Sequence, residues 1–238
     1  NDPQVASHAI RNLTRLAVPT ATLRWTQLGF GRAGATGTEQ PTPRNLFGFK
    51  DGTANVKAEE TDALAEHVWV GDDDDPRAPW LAGGSYLVTR RINMTIEVWD
   101  RQTLGDQERF IGRTKDAGAP LSGGEEFTAP DFDLPGRGGP IIPVDAHIRV
   151  VHPDHNDGVR MLRRGYNFVD GSNGLGRLDA GLFFIAFINS PERFAKVHTN
   201  MARDDMFVEY LKTTGSAVFL VPPGAASEGH WVGESLFA

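Results

Sequence analysis

From Gly84 onward, the hydrophobic period changes along the chain in an order that few folds accommodate. Ile92, Met94, Ile96 and Val98 alternate with Asn93, Thr95 and Glu97, the pattern of a half-buried strand. A helix is expected near 103–113, then a Gly/Pro-rich loop over 117–143, then strands at 146–151, 161–168 and 181–189. Ser190 and Pro191 suit the start of a helix that places Phe194, Val197 and Met201 on one face. A further helix over 205–213 is expected to end at Gly215 as its C′ glycine, ahead of a strand at Ala217–Val221. The order β-α-β-β-(β)-α-β is close to the split β-α-β, ferredoxin-like pattern. That is an α+β fold with an antiparallel sheet backed by helices.

The first eighty-odd residues are less regular. Asp2 and Pro3 suit the N-cap and first turn of a helix in which Val5, Ala9, Leu13 and Leu16 recur at near-helical spacing. Thr20–Phe30 reads as extended, 31–57 as irregular, and a short helix is expected over Glu59–Ala65. GFGRAG at 29–34 satisfies G-x-G-x-x-G on paper, but prolines follow where that motif needs a helix N-terminus, so it reads as a loop. GDDDDP at 71–76 reads as a solvated turn, because a calcium loop needs spaced oxygen ligands and an internal glycine.

Composition narrows the chemistry. A chain of 238 residues buries enough surface to fold without a staple. The absence of cysteine excludes disulfides, thiolate nucleophiles, iron–sulfur clusters and zinc–thiolate sites. With 31 acidic against 24 basic residues, the net charge of −7 argues against nucleic acid as a partner. The longest apolar run, Leu182–Ile188, is too short to span a bilayer. A first residue of Asn rather than Met reads as a processed product or a fragment, with any leader already removed.

No G-x-S-x-G elbow, H-E-x-x-H pair or Walker loop occurs. Two places hold polar residues among apolar ones. In NLFGFKDGTAN, 45–55, Asp51 precedes a glycine among Leu46, Phe47 and Phe49. It reads either as an ordinary Asp-Gly turn or as a carboxylate carried into a cavity by a loop anchored through its phenylalanines. In DAHIRVVHPDHNDG, Ala146, Ile148 and Val150 would share one face of a strand and His147 and Arg149 the other. His147 is then either satisfied by a neighbour or a ligand at the rim of an apolar cavity. A bare metal held by His147, His152, Asp154 and His155 is disfavoured, because the last three lie in a polar loop with no fixed geometry to the first. In MLRRGYNF, Arg163 and Arg164 point to opposite faces, and Gly165 on the Arg163 side leaves room for something flat.

These segments resemble the dye-decolorizing peroxidase family, in particular the bacterial branch that includes the iron-transport-linked haem peroxidase and deferrochelatase. The family's G-x-x-D-G motif stands as Gly48-Phe49-Lys50-Asp51-Gly52, its proximal-ligand segment as Ala146-His147-Ile148-Arg149, and its distal-arginine segment as MLRRGYNF. GLFFIAF at 181–187 and TGSAVFLVPPG at 214–224 are similar as well. The resemblance implies two ferredoxin-like domains of the dimeric α+β barrel type, the first truncated: residues 1–45 as its remainder, 46–83 as a connecting segment with the G-x-x-D-G loop, and 84–238 as the haem-binding domain. The missing piece would be cleaved or belong to a longer precursor, and an unpaired sheet edge would favour a homodimer.

The resemblance further implies one haem b per chain, with His147 as axial iron ligand and Asp51 and Arg163 on the peroxide-binding face. Gly52, Thr53 and Ala54 would pass near the haem, as would His152, Pro153 and Asp154. At those last positions relatives carry Asn-Pro-Arg where this chain has His-Pro-Asp, which removes an arginine partner for a propionate. Glu209 is expected to hydrogen-bond the ligand histidine. The implied activity is reduction of hydrogen peroxide with oxidation of dyes or phenolic compounds, bulky reductants reacting at Trp99, Tyr86, Tyr166 or Trp231. The alternative is a deferrochelatase, which releases iron and leaves the porphyrin intact. Export by a twin-arginine signal, absent from this chain, is an expectation of the same kind.

Overall fold

The structure, a computed structural model, describes residues 2–237. Its elements are α1 (Pro3–Ala17), β1 (Phe30–Ala33), α2 (Thr61–His67), β2 (Ser85–Met94), α3 (Ile96–Trp99), α4 (Leu104–Ile111), α5 (His147–Val150), β3 (Leu162–Arg163), β4 (Gly165–Ser172), β5 (Leu178–Ile188), α6 (Pro191–Asp204) and β6 (Leu211–Val221). Asp2 caps α1 by accepting from the Gln4 and Val5 amides at 2.8 and 3.1 Å. Thr103 caps α4 in the same way, and Gly112 ends it in a left-handed conformation.

The strands form one antiparallel sheet in the order β1-β4-β5-β2-β6, with β3 beside β5. The four long strands in that row, β4-β5-β2-β6, stand in the order 2-3-1-4 of a split β-α-β unit, so the α+β expectation describes the molecule. Val88 of β2 pairs with Ala186 of β5. Its side chain joins Ile188 and Val197 in a buried cluster, so α6 closes one face of the sheet. β1, from the stretch expected in a first domain, pairs with β4 of this same sheet. Among the described residues no helix is long and apolar enough to cross a membrane.

Tertiary contacts overrule the local pattern at four places. The strand expected over 92–98 stops at Met94, where the Thr95 amide and hydroxyl turn to the Tyr210 carbonyl at 3.0 and 3.1 Å and α3 begins. The strand expected at 146–151 is the helical turn α5: Arg149 and Val150 both donate to the Ala146 carbonyl, and no neighbouring strand competes for those groups. The helix expected over 205–213 is a short 3₁₀ turn, Met206–Tyr210, followed by β6, with Gly215 lying opposite Arg91 inside the sheet. Pairing with β2 wins there because Thr213 and Thr214 suit a pleated edge better than a helix. Of Thr20–Phe30, only Phe30 enters a strand. The rest lies over the sheet, with Trp25 edge-on to Phe183 and Gln27 bonded to Asp170 at 3.1 Å. Ser190 precedes α6 as expected, but its hydroxyl donates to Glu192 rather than capping the helix.

His67, at the end of α2, is buried, and its Nδ1 accepts a hydrogen bond from Arg193 Nη2 at 2.7 Å. Burial and the nearby guanidinium hold its pKa below the ordinary imidazole value. The unfolded chain therefore binds a proton that the folded chain refuses, and stability falls as pH drops through about 6.5. Urea unfolding at about pH 7.5 and about pH 5.5 should give a lower midpoint in acid, and the drop should be smaller in His67→Gln.

Candidate functional site

The loop 45–55 is built by its own polar residues and held by its apolar ones. Asn45 Oδ1 accepts from the amides of Phe47 and Phe49 at 3.1 and 3.3 Å, curling the chain so that both rings turn inward. Phe47 stacks on Trp99 at 4.5 Å between ring centroids, and Phe49 meets the same indole edge-on at 5.9 Å. Both phenylalanines are only 2% exposed. Gly52 follows at φ +110°, and a Cβ there would lie 2.6 Å from Gly34 Cα, so the loop crosses residue 34 where only glycine fits. Between these anchors Asp51 Oδ1 accepts from Arg163 Nη1 at 3.0 Å, with the two side chains 16% and 28% exposed. Asp51 is therefore more than a surface turn residue.

Glu126, from the Gly/Pro-rich loop, grips both flanks of Asp51. It accepts from Lys50 Nζ and from Thr53 Oγ1, the latter at 3.1 Å. Burial works against its charge, but these hydrogen bonds, led by that of Lys50, hold its pKa below the ordinary carboxylate value. Nothing in the local sequence distinguishes Glu126 from Glu125 beside it.

His147 opens α5. Its Nδ1 lies 2.7 Å from Asp205 Oδ2, on a carboxylate side chain with no solvent exposure. A carboxylate accepts only, so Nδ1 carries the proton and the lone pair stands on Nε2. Nε2 makes no hydrogen bond among the described residues, and the side chain is 25% exposed. Asp205 Oδ1 also accepts from the Phe207 amide at 2.9 Å, and the Met206 amide donates to the Asp145 carbonyl at 3.1 Å. The 205–207 turn is thus tied to the segment that presents the histidine. Phe207 stands edge-on to the imidazole at 5.0 Å and to Trp99 at 5.7 Å.

The carboxylate expected at Glu209 is therefore Asp205; Glu209 is exposed. Expecting a helix over 205–213 misplaced the carboxylate by four positions.

The remaining expected residues lie in three settings. Thr53 bonds Glu126, and Ala54 is exposed. His152, Pro153 and Asp154 form a turn of their own in which the Asp154 amide donates to His152 Nδ1 at 3.3 Å, with His152 edge-on to Phe132 at 4.9 Å. Asp154 points to solvent, with 77% of its side chain exposed. Among the described residues no three His, Asp or Glu side chains converge on a point that would hold a bare metal ion. Of the aromatics proposed for surface oxidation, Trp99 is wholly buried, whereas Trp231 is half exposed.

Residues 42–226 match the family described as Dyp-type peroxidase, C-terminal. The chain belongs to that family. It is 38% identical to a dye-decolorizing peroxidase of Thermobifida fusca over 99% of this chain and 55% of that protein. It is 36% identical to a deferrochelatase of Yersinia pestis, again over 99% and 55%. Among solved structures, the oxyferrous complex of DtpA from Streptomyces lividans superposes with a TM-score of 0.88 at 38% identity, covering 100% of this chain and 64% of that one. The chain thus spans about half the length of the relatives it matches.

Asp205 joins two jobs, capping the 206–210 turn and holding His147. Replacing it with alanine leaves both the imidazole Nδ1–H and the Phe207 amide without a partner. Asp205→Ala should therefore lose about 2 kcal/mol of unfolding free energy by urea titration, whereas Glu209→Ala should change it by less than about 0.5 kcal/mol.

Proposed function

We propose that this chain forms the haem-holding part of a peroxidase that reduces hydrogen peroxide and oxidises dyes or phenolic compounds. The observation that carries the proposal is His147: an imidazole whose Nδ1–H is committed to a buried carboxylate and whose Nε2 lone pair is left for a metal. That donor set fits haem iron, which brings the macrocycle's own nitrogen ligands and would take one more from the protein, and does not fit a bare ion, for which further protein ligands are lacking among the described residues. Gly52 fits as well, because its tight crossing with Gly34 leaves backbone rather than side chain beside Asp51.

Haem, when bound, supplies an iron centre that takes oxidising equivalents from peroxide and passes them to a reductant. The rest falls to the protein. Asp205 orients the His147 ring and makes it a stronger donor. Asp51 takes the proton from one peroxide oxygen and returns it to the other as the O–O bond breaks, which requires a carboxylate that can exchange protons at that spot. Arg163, 3.0 Å from Asp51, stabilises the negative charge that develops on the departing oxygen and holds the carboxylate in place.

The names of the relatives support both dye oxidation and, as a second reading, iron release from haem; the latter asks only for the same histidine. Peroxide and an aromatic or dye reductant are the small-molecule partners of the first reading, and an exported location belongs to it.

Adding haem to the purified chain should give a one-to-one complex with a strong Soret band, and His147→Ala should lose its iron coordination. Asp51→Asn and Arg163→Leu should keep the haem spectrum and slow oxidation by peroxide about 10²–10⁴-fold in stopped flow. Unaltered rates in both variants would remove the mechanism. Accumulation of iron-free porphyrin from excess haem would instead favour the deferrochelatase.

A further inference from the structure

Asn55 closes the loop that carries Asp51 and is itself 2% exposed. Its carboxamide reads the backbone of Arg163 as a neighbouring strand would. Oδ1 accepts from the Arg163 amide at 2.7 Å, and Nδ2 donates to the Arg163 carbonyl at 2.9 Å. The second Nδ2 hydrogen goes to the Ala35 carbonyl, also at 2.9 Å.

The need for this arises from β3. In an antiparallel pair, successive residues turn their N–H and C=O to opposite sides. Arg164 turns toward β5, donating to Ile185 at 2.8 Å, so Arg163 turns its own backbone groups away from the sheet. Without Asn55 both groups would be left without a partner in the protein interior. Gly34 packs against the same point, since a Cβ there would lie 2.8 Å from the Arg163 carbonyl oxygen. Asn55 itself is fixed by donating its amide to Gly52 at 3.0 Å, one residue beyond Asp51.

We propose that Asn55 is a positioning residue that sets the distance between Asp51 and Arg163 by bonding the backbone of one from the loop of the other. The proposal rests on the peroxidase reading of that pair. Asn55 touches neither peroxide nor haem in this account; it acts through Arg163.

Four variants test it: Asn55→Ala, the isosteric Asn55→Asp, which keeps one acceptor but sets a carboxylate oxygen against two carbonyls, Arg163→Leu, and Arg163→Leu combined with Asn55→Ala. In the chain without haem, Asn55→Ala should raise hydrogen exchange of the Arg163 amide about tenfold or more, with Val88 in the sheet centre unchanged. In the haem-loaded protein, both Asn55 variants should keep the Soret band and slow oxidation by peroxide about 10–100-fold. The combined variant should be no slower than Arg163→Leu alone, because the bridge then has nothing to position.

Multiplying effects in the combined variant, or a normal rate in Asn55→Ala, would overturn the proposal while leaving the peroxidase reading in place. If Asn55→Ala does not fold, Asn55→Asp carries the same comparison. An unaltered rate in Arg163→Leu overturns the catalytic role of Asn55, while the peroxidase reading then stands or falls with Asp51→Asn; the exchange of the Arg163 amide reports separately whether Asn55 fixes that backbone.

Discussion

Trp99 is the contact through which distant parts of this molecule are held at fixed spacing. Its wholly buried indole takes Phe47 and Phe49 from the Asp51 loop, Phe207 from the turn after Asp205, Phe110 from α4, and Tyr210 from the entry to β6. Aromatic pairs of this kind combine a large buried area with a preferred geometry, so they fix direction as well as proximity. The loop bearing the acid and the turn bearing the histidine's carboxylate share one anchor. Neither can shift far without disturbing the other.

The sheet supplies the second frame. β2 and β5 form its centre, and β3 adds two residues beside β5 at Leu162 and Arg163. So short a strand would hold Arg163 poorly by its ladder alone. Gly34, Asn55 and the Arg163 backbone meet there, bringing together segments more than a hundred residues apart. The Asp51–Arg163 ion pair lies over this junction and is partly screened from water, which makes its geometry matter more than that of an exposed pair.

Much of this was legible in the sequence. The strand expected at 181–189, the Pro-initiated α1 and α6 and the helix expected near 103–113 are local signals, and the molecule follows them. The loop with two phenylalanines around Asp51 and the arginine beside a glycine stood out as polar groups in apolar settings. What misled was equally local. Residues 146–151 alternate like a strand but have no partner strand, so their backbone bonds close within one helical turn. The threonines after Tyr210 were counted with a helix, and the free edge of β2 claimed them.

Residue order and side-chain chemistry by themselves determined the α+β class, the antiparallel sheet, and the identities of the histidine, aspartate and arginine that stand out. These depend on periodicity and on which groups can hold a proton or a metal, both of which are written in the chain. Only the tertiary structure decided that Asp205 rather than Glu209 faces His147, that Glu126 grips the Asp51 loop and that Asn55 completes the edge of β3. Each of these depends on which buried donor is left without a partner once the sheet has formed, and that is a property of the packed molecule rather than of any segment of it.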